Sequence, residues 1–220
     1  MSEIIKAWEK TLKTKIRNFA KKHLKSYSQK PNIWLHDKRV SQFLLHWICA
    51  QKPKCVLLYL PMPHEINLKS LAFELKRKKI TVLVPKVNGE VMEAVSLRLP
   101  LRLGAYKISE SSSFTPYQGK IDLAIVPILG FDSAMRRIGF GCGYYDRFLE
   151  GNVGKPYIIF AARFLIFSRQ NVTHDHDVRA DLIVSSRAFL NIKGKRQNGN
   201  YRSRSYYLNS DCSHWVISRF

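Results

Sequence analysis

Short, largely apolar runs alternate with helix-patterned segments along this chain, and that alternation restricts the fold more than any other feature. Cys55–Leu60, Ile80–Val84, Ile121–Pro127, Tyr157–Ala161 and Leu182–Val184 read as buried strands, with a further one over Met92–Leu97. Between the first two of these runs, Asn67 opens a helix carrying Leu68, Leu71 and Leu75; before them, Asp37 is placed to cap a helix through Val40, Phe43, Leu44, Trp47 and Ile48. Strands that are apolar on both faces need cover on both faces. The expectation is therefore an α/β fold of three layers, α/β/α, around a mainly parallel sheet. A chain of 220 residues with 45% hydrophobic content can bury one sizeable core, so a single domain is expected over 1–190. Beyond about Asn191, six basic residues and one acidic residue are interspersed with Gly, Asn and Ser, which predicts a poorly packed basic tail over 191–220. The polar stretch Ser109–Gly119 reads as a mobile surface loop.

The start of the chain predicts an amphipathic helix from Ile5 to about Ser26, with Ile5, Trp8, Leu12, Ile16 and Phe19 forming its apolar stripe. Lys13 and Arg17, four residues apart, stack beside that stripe. They either point together into a cleft or belong to a solvated basic face. The net charge of +21 attracts polyanions without choosing among nucleotides, polyglutamylated cofactors, nucleic acids and acidic membranes. No apolar run has the roughly 18 to 20 residues of a membrane helix, and the basic start lacks a cleavable apolar leader. Cys49, Cys55, Cys142 and Cys212 have neither zinc-site spacing nor a disulfide framework, so reduced thiols and a cytoplasmic protein are expected, with a monomer as the default.

Chemistry concentrates in Arg136-Arg-Ile-Gly-Phe-Gly-Cys-Gly-Tyr-Tyr-Asp-Arg-Phe-Leu149, a glycine-rich run between a strand and a helix. Gly139, Gly141 and Gly143 can leave backbone amides uncovered where phosphate oxygens approach a helix start, and Arg137 can add a bidentate contact. The spacing is neither the dinucleotide-binding G-x-G-x-x-G nor a P-loop. Asp146, one turn into the helix, either favours the helix dipole or holds Mg²⁺ beside a triphosphate. His174 and His176 flank Asp175 without a further ligand cluster, which reads as a surface turn, with His176 able to shape a nucleotide pocket.

The glycine-rich run resembles the R-x-G-x-G-x-G-Y-Y-D signature of the 5-formyltetrahydrofolate cyclo-ligase family. Asp122-Leu-Ala-Ile-Val-Pro-Ile-Leu-Gly-Phe-Asp132 is similar to that family's preceding strand and turn. Lys13-x-x-x-Arg17, Glu65-Ile66, Val84-Pro-Lys86, His176-Asp177 and Asp181 follow its order, so the resemblance covers roughly residues 6–187. It implies a fold related to the sugar-phosphate isomerase and CoA-transferase group. It also implies ATP- and Mg²⁺-dependent closure of 5-formyltetrahydrofolate to 5,10-methenyltetrahydrofolate, with release of ADP and phosphate. By that resemblance Lys13, Arg17, Arg137, Gly139, Gly141, Cys142, Gly143 and Tyr144 would bind ATP. Glu65, Tyr106 and Tyr145 would face the folate, Asp146 and Asp181 would hold Mg²⁺, and Arg137, Tyr145 and Asp146 would act in catalysis. Phe140 and Cys142 stand where many relatives carry a basic residue or glycine, and Tyr106 where they often have tryptophan. Two other readings remain open: a basic nucleic-acid-binding protein, from the charge and the Arg/Tyr-rich stretch 201–207, and a family member that activates another substrate with ATP.

Overall fold

The computed structural model describes residues 2–104, 109–151, 154–186, 189–191 and 216–217, with side chains in the first helix described from residue 11 onward. Four helices, α1 (Ser2–Ser28), α2 (Ile33–Gln51), α3 (Lys69–Arg77) and α4 (Tyr144–Glu150), accompany thirteen strands. The main sheet contains β1 (Cys55–Leu58), β2 (Thr81–Asn88), β3 (Val91–Ser96), β6 (Leu123–Pro127), β9 (Tyr157–Ala161), β11 (Leu182–Val184) and β12 (Phe189–Asn191). A second sheet joins β7 (Gly130–Asp132), β8 (Arg137–Ile138), β10 (Ile166–Ser168) and β13 (Val216–Ile217), and a two-stranded ribbon joins β4 (Arg102–Leu103) to β5 (Ser109–Glu110).

The main sheet runs β12-β11-β9-β6-β1-β2-β3. Its inner five strands pair in parallel, whereas β3 and β12 close the edges antiparallel. Within β1, Val56 and Leu58 enter one core and Cys55 and Leu57 the other, the two-residue alternation of a strand covered on both sides. On the first face lie Val40, Leu44 and Ile48 of α2 with Leu71 and Leu75 of α3. Each fully buried Leu or Ile contributes about 1.5 to 3 kcal/mol. The opposite face is covered by Leu149 of α4 and by Phe131 of the second sheet. Ile16, Ala20 and Leu24 of α1 then pack on Leu129, Ile138 and Ile166 around that second sheet. The mainly parallel α/β architecture expected from the alternating runs is thus present, with a small sheet sharing one of the flanking layers.

Two expectations need correction. Asp37 does not cap α2, which begins four residues earlier after Asn32 in a left-handed conformation (φ 63°). Its carboxylate is instead turned inward onto Arg163, which donates from Nε to Oδ1 (3.2 Å) and from Nη2 to Oδ2 (2.9 Å). Nor is 109–119 a loosely attached loop. The Ser111 hydroxyl donates to Ser96 O (2.7 Å) and accepts from Arg98 N (2.9 Å), and Tyr117 N donates to Ala94 O (2.8 Å), fastening the segment to β3. Most of the expected tail, Cys212 and the apolar positions Ile5 and Trp8 lie outside the described residues or side chains. Cys49, Cys55 and Cys142 carry free thiols, and no described helix is long and apolar enough to cross a membrane.

The strand order reverses direction at β1: the chain passes from β1 to β2 on one side, then returns to place β6 on the other. In open α/β sheets such a switch opens a crevice beyond the carboxyl ends of the strands. β1 leads there into the segment containing Glu65, and β6 leads towards the glycine-rich run.

Candidate active site

Two buried carboxylates fix the glycine-rich run. Asp132, at the end of β7, accepts on Oδ1 from Ala134 N (3.1 Å) and Arg136 N (3.2 Å). Its Oδ2 accepts from Val172 N (3.0 Å), Thr173 N (3.0 Å) and Thr173 Oγ1 (2.6 Å). Five donors on one carboxylate bind the turn before the glycines to the segment at 171–173. Arg137 provides the second anchor: Nε donates to Pro127 O (3.0 Å) and Nη1 to Asp146 Oδ2 (2.8 Å), joining the end of β6 to the first turn of α4. Asp146 Oδ1 accepts from Val178 N (3.2 Å). Both Arg137 and Asp146 are buried, so their geometry is held by packing as well as charge.

Between these anchors the backbone makes turns that need glycine. Gly141 has φ +124° and Gly143, the residue preceding α4, has φ +66°, a region that side chains disfavour. Gly139 answers a different need, because a Cβ there would lie 2.7 Å from the Arg137 guanidinium carbon. α4 has only seven residues, so side-chain cations matter more for an anion here than a helix dipole.

Those cations come from α1. The buried Lys13 ammonium pairs with Asp177 at 2.5 Å, and Arg17 Nε donates to Gly139 O at 3.0 Å. Lys13 and Arg17 therefore enter a cleft, as the first of the two sequence readings held. That cleft, about 250 Å³, is lined by Lys13, Arg17, Gly139, Gly141, Gly143 and Asp146 among others. Cys142 and Tyr144 stand apart from it: the Cys142 carbonyl accepts from Arg147 Nη1 (2.9 Å), and the Tyr144 hydroxyl donates to Gly89 O (3.1 Å). The 174–177 segment is a turn, closed by Asp177 N to His174 O (2.9 Å) and by His174 N to Asp177 Oδ2 (2.8 Å). His176 lines the cleft. Asp181 lies in an adjoining depression of about 590 Å³ that Asp146 also borders, and its Oδ2 accepts from Ile158 N (2.8 Å).

A buried polar cluster of different character forms at the end of β1. Glu65 is buried, with Oε2 accepting from Met62 N (2.9 Å). Burial pushes its carboxyl up to about 7, against the opposing pull of the Met62 N–H and the Arg137 and Arg163 charges. The Arg137 guanidinium lies 5.1 Å from the Tyr145 ring centre, and burial beside Glu65 drives the Tyr145 phenol well above its ordinary range. Among the described residues, three buried polar side-chain atoms lack a hydrogen-bond partner: Tyr59 Oη, His64 Nε2 and Glu65 Oε1. Such atoms are costly in a folded protein and concentrate where a ligand completes the set. Arg163 braces this cluster, because besides Asp37 it donates from Nη1 to Pro63 O (2.9 Å) and Ser28 Oγ (2.9 Å). Sequence reasoning missed Tyr59, His64 and Arg163, and Asp37 was read only as a cap. Tyr106 lies outside the described residues.

Fold and site together define an α/β protein in which a cationic, glycine-lined cleft and a buried acid–aromatic cluster are linked by Arg137. The model of the 5-formyltetrahydrofolate cyclo-ligase family matches residues 9–186. The chain is 30% identical over 158 residues to a 5-formyltetrahydrofolate cyclo-ligase of Mycoplasma pneumoniae, an alignment spanning 68% of this chain and 84% of that one. A 5-formyltetrahydrofolate cyclo-ligase of Mycoplasma genitalium is 28% identical over 151 residues, covering 67% and 82%. The NMR structure of Aquifex aeolicus 5,10-methenyltetrahydrofolate synthetase superposes with a TM-score of 0.69 at 25% identity, over 88% of this chain and 99% of that one. A 5,10-methenyltetrahydrofolate synthetase from Mycoplasma pneumoniae shares the fold, with a TM-score of 0.57 at 22% identity over 79% and 98%. The chain belongs to the 5-formyltetrahydrofolate cyclo-ligase family, whose reaction is the ATP-dependent cyclisation of 5-formyltetrahydrofolate.

Proposed function

We propose that this protein closes 5-formyltetrahydrofolate to 5,10-methenyltetrahydrofolate with ATP, the phosphates occupying the Lys13–Arg17 cleft and the folate the Glu65–Tyr145 pocket. The observation that carries this assignment of sites is Arg137. Its guanidinium binds Asp146 on the phosphate side and lies over Tyr145 on the folate side, so it spans the place where the two ligands must meet. Glycines and cations suit an anion, whereas an aromatic wall beside a buried acid suits a flat nitrogen heterocycle.

A formamide oxygen leaves poorly as oxide. The formyl oxygen on N5 attacks the γ-phosphorus, ADP departs, N10 adds to the activated carbon, and phosphate leaves as the five-membered ring closes and the N10 proton is lost. The protein's part is alignment and charge stabilisation. Lys13 and Arg17 hold the phosphate chain, Arg137 stabilises charge on the transferring group, and Glu65 fixes the heterocycle with Tyr145 as its wall.

Asp146 is the carboxylate we assign to Mg²⁺, with Asp181 contributing from the adjoining depression. Each Asp146 oxygen accepts one hydrogen bond in the described structure and retains a lone pair for a cation. Mg²⁺ commonly takes one or two carboxylates and completes its shell with phosphate oxygens and water, which suits a site without three clustered ligands among the described residues. When bound, it would neutralise phosphate charge. The catalytic unit is taken as residues 1–190.

Purified protein incubated with 5-formyltetrahydrofolate, ATP and Mg²⁺ should give the methenyl chromophore only when all three are present. Measurable ATP binding without product would transfer the site to another ATP-activated substrate.

A further inference from the structure

Resting on this reading of the site, we propose that His64 is a further substrate-contacting residue, its Nε2 forming a hydrogen bond to the folate at the seam between the 61–66 segment and the glycine-rich loop.

Three observations lead there. The His64 ring packs on Phe140, in the middle of the glycine-rich run, with ring centres 5.1 Å apart. His64 therefore touches the phosphate-side loop while its chain neighbour Glu65 faces the folate pocket. Its Nε2 is buried without a partner among the described residues, as are Glu65 Oε1 and Tyr59 Oη. Glu65 is also near enough to Tyr59 to be among the causes that raise its phenol.

The mixture of groups selects the ligand. A phosphate accepts hydrogen bonds only, and a buried carboxyl that ionises would repel it. An imidazole, a phenol and a carboxyl together can both donate and accept, matching the N–H and C=O edge of a reduced pterin. His64 is further held in its neutral form, because burial and the nearby Arg163 and Lys21 charges lower its affinity for a proton. A neutral ring adds no charge to the phosphate cleft, and its buried Nε2 is the atom left to be partnered.

The test uses three full-length variants. His64→Leu keeps bulk and removes the polar atom, His64→Gln places an amide near Nε2, and His64→Asn places one near Nδ1. Binding of 5-formyltetrahydrofolate alone and of ATP alone is measured by calorimetry, together with the unfolding midpoint. We expect His64→Leu and His64→Asn to weaken folate binding about tenfold or more, with ATP binding within about twofold of wild type. His64→Gln should recover most of the loss. The His64→Leu unfolding midpoint should equal or exceed that of wild type, because an unpartnered buried atom has been removed. Unchanged folate affinity in His64→Leu would overturn the proposal. So would equal losses in the Leu and Gln variants with a lowered midpoint, which assigns His64 to packing against Phe140, or a loss confined to ATP. Failure of the wild-type protein to form product would instead count against the assignment of the site itself.

Discussion

The Glu65 carboxyl should make stability fall with pH, and its replacement should show by how much. In the unfolded chain it titrates near its ordinary value of 4.5; in the folded protein burial raises that to about 7. Between those values the folded state holds a proton that the unfolded state has released, so stability decreases as pH rises. Below 4.5 the contribution is fully present, and above about 7 it has been lost. The interval from 4.5 to about 7, at about 1.4 kcal/mol per pH unit, corresponds to roughly 3 kcal/mol. Glu65→Gln preserves shape and the acceptor that meets Met62 N, but cannot ionise. Urea unfolding of both proteins at pH 4 and pH 8.5 should show the variant gaining about 3 kcal/mol relative to wild type across that range. The same variant should bind 5-formyltetrahydrofolate more weakly, a trade of function for stability. A stability difference independent of pH would refute the buried-carboxyl argument, and unchanged folate affinity would remove Glu65 from the substrate pocket.

Asp146→Ala should lower turnover by about 10²-fold or more while retaining cooperative unfolding, measured by initial rates at saturating substrates; near-normal turnover would remove Asp146 from the site. Lys13→Met should raise the KM for ATP about tenfold and leave folate affinity unchanged, because its ammonium reaches only the phosphate cleft. Asp37→Ala should cost about 3 to 5 kcal/mol in denaturant unfolding, since it leaves the Arg163 guanidinium buried and unpaired, whereas Asp37→Ala combined with Arg163→Met should recover much of that loss.

The inner strands were legible because both faces are buried: β9 and β11 occupy the expected Tyr157–Ala161 and Leu182–Val184. The start of α2 was not. Asp37 has the composition of a helix cap, but its carboxylate serves Arg163, 126 residues away in the chain. The serines of 109–119 similarly suggest solvent, yet Ser111 and Ser113 are buried, and the Ser111 hydroxyl donates to Ser96 O and accepts from Ser113 N. Spacing left two readings of Lys13 and Arg17, and the family resemblance singled them out together with the glycines; these gather at one cleft. Neither spacing nor resemblance could separate those positions from Cys142 and Tyr144, because that depends on which way each side chain turns. The cluster around Glu65 was less legible still. Nothing in the letters of Tyr59 or His64 discloses a polar atom buried without a partner; that is a property of the packed molecule.

The Lys13–Asp177 contact joins residues 164 apart in sequence, and both line the cleft proposed to hold phosphate. During synthesis on a ribosome, the first helix would emerge long before the turn that receives it. The cleft can be completed only after β9, β10 and the turn carrying Asp177 have been made. Catalytic activity should consequently appear as a late event in folding, after the central strands have paired, and an N-terminal fragment that stops short of Asp177 should retain helices and strands without a finished place for the nucleotide.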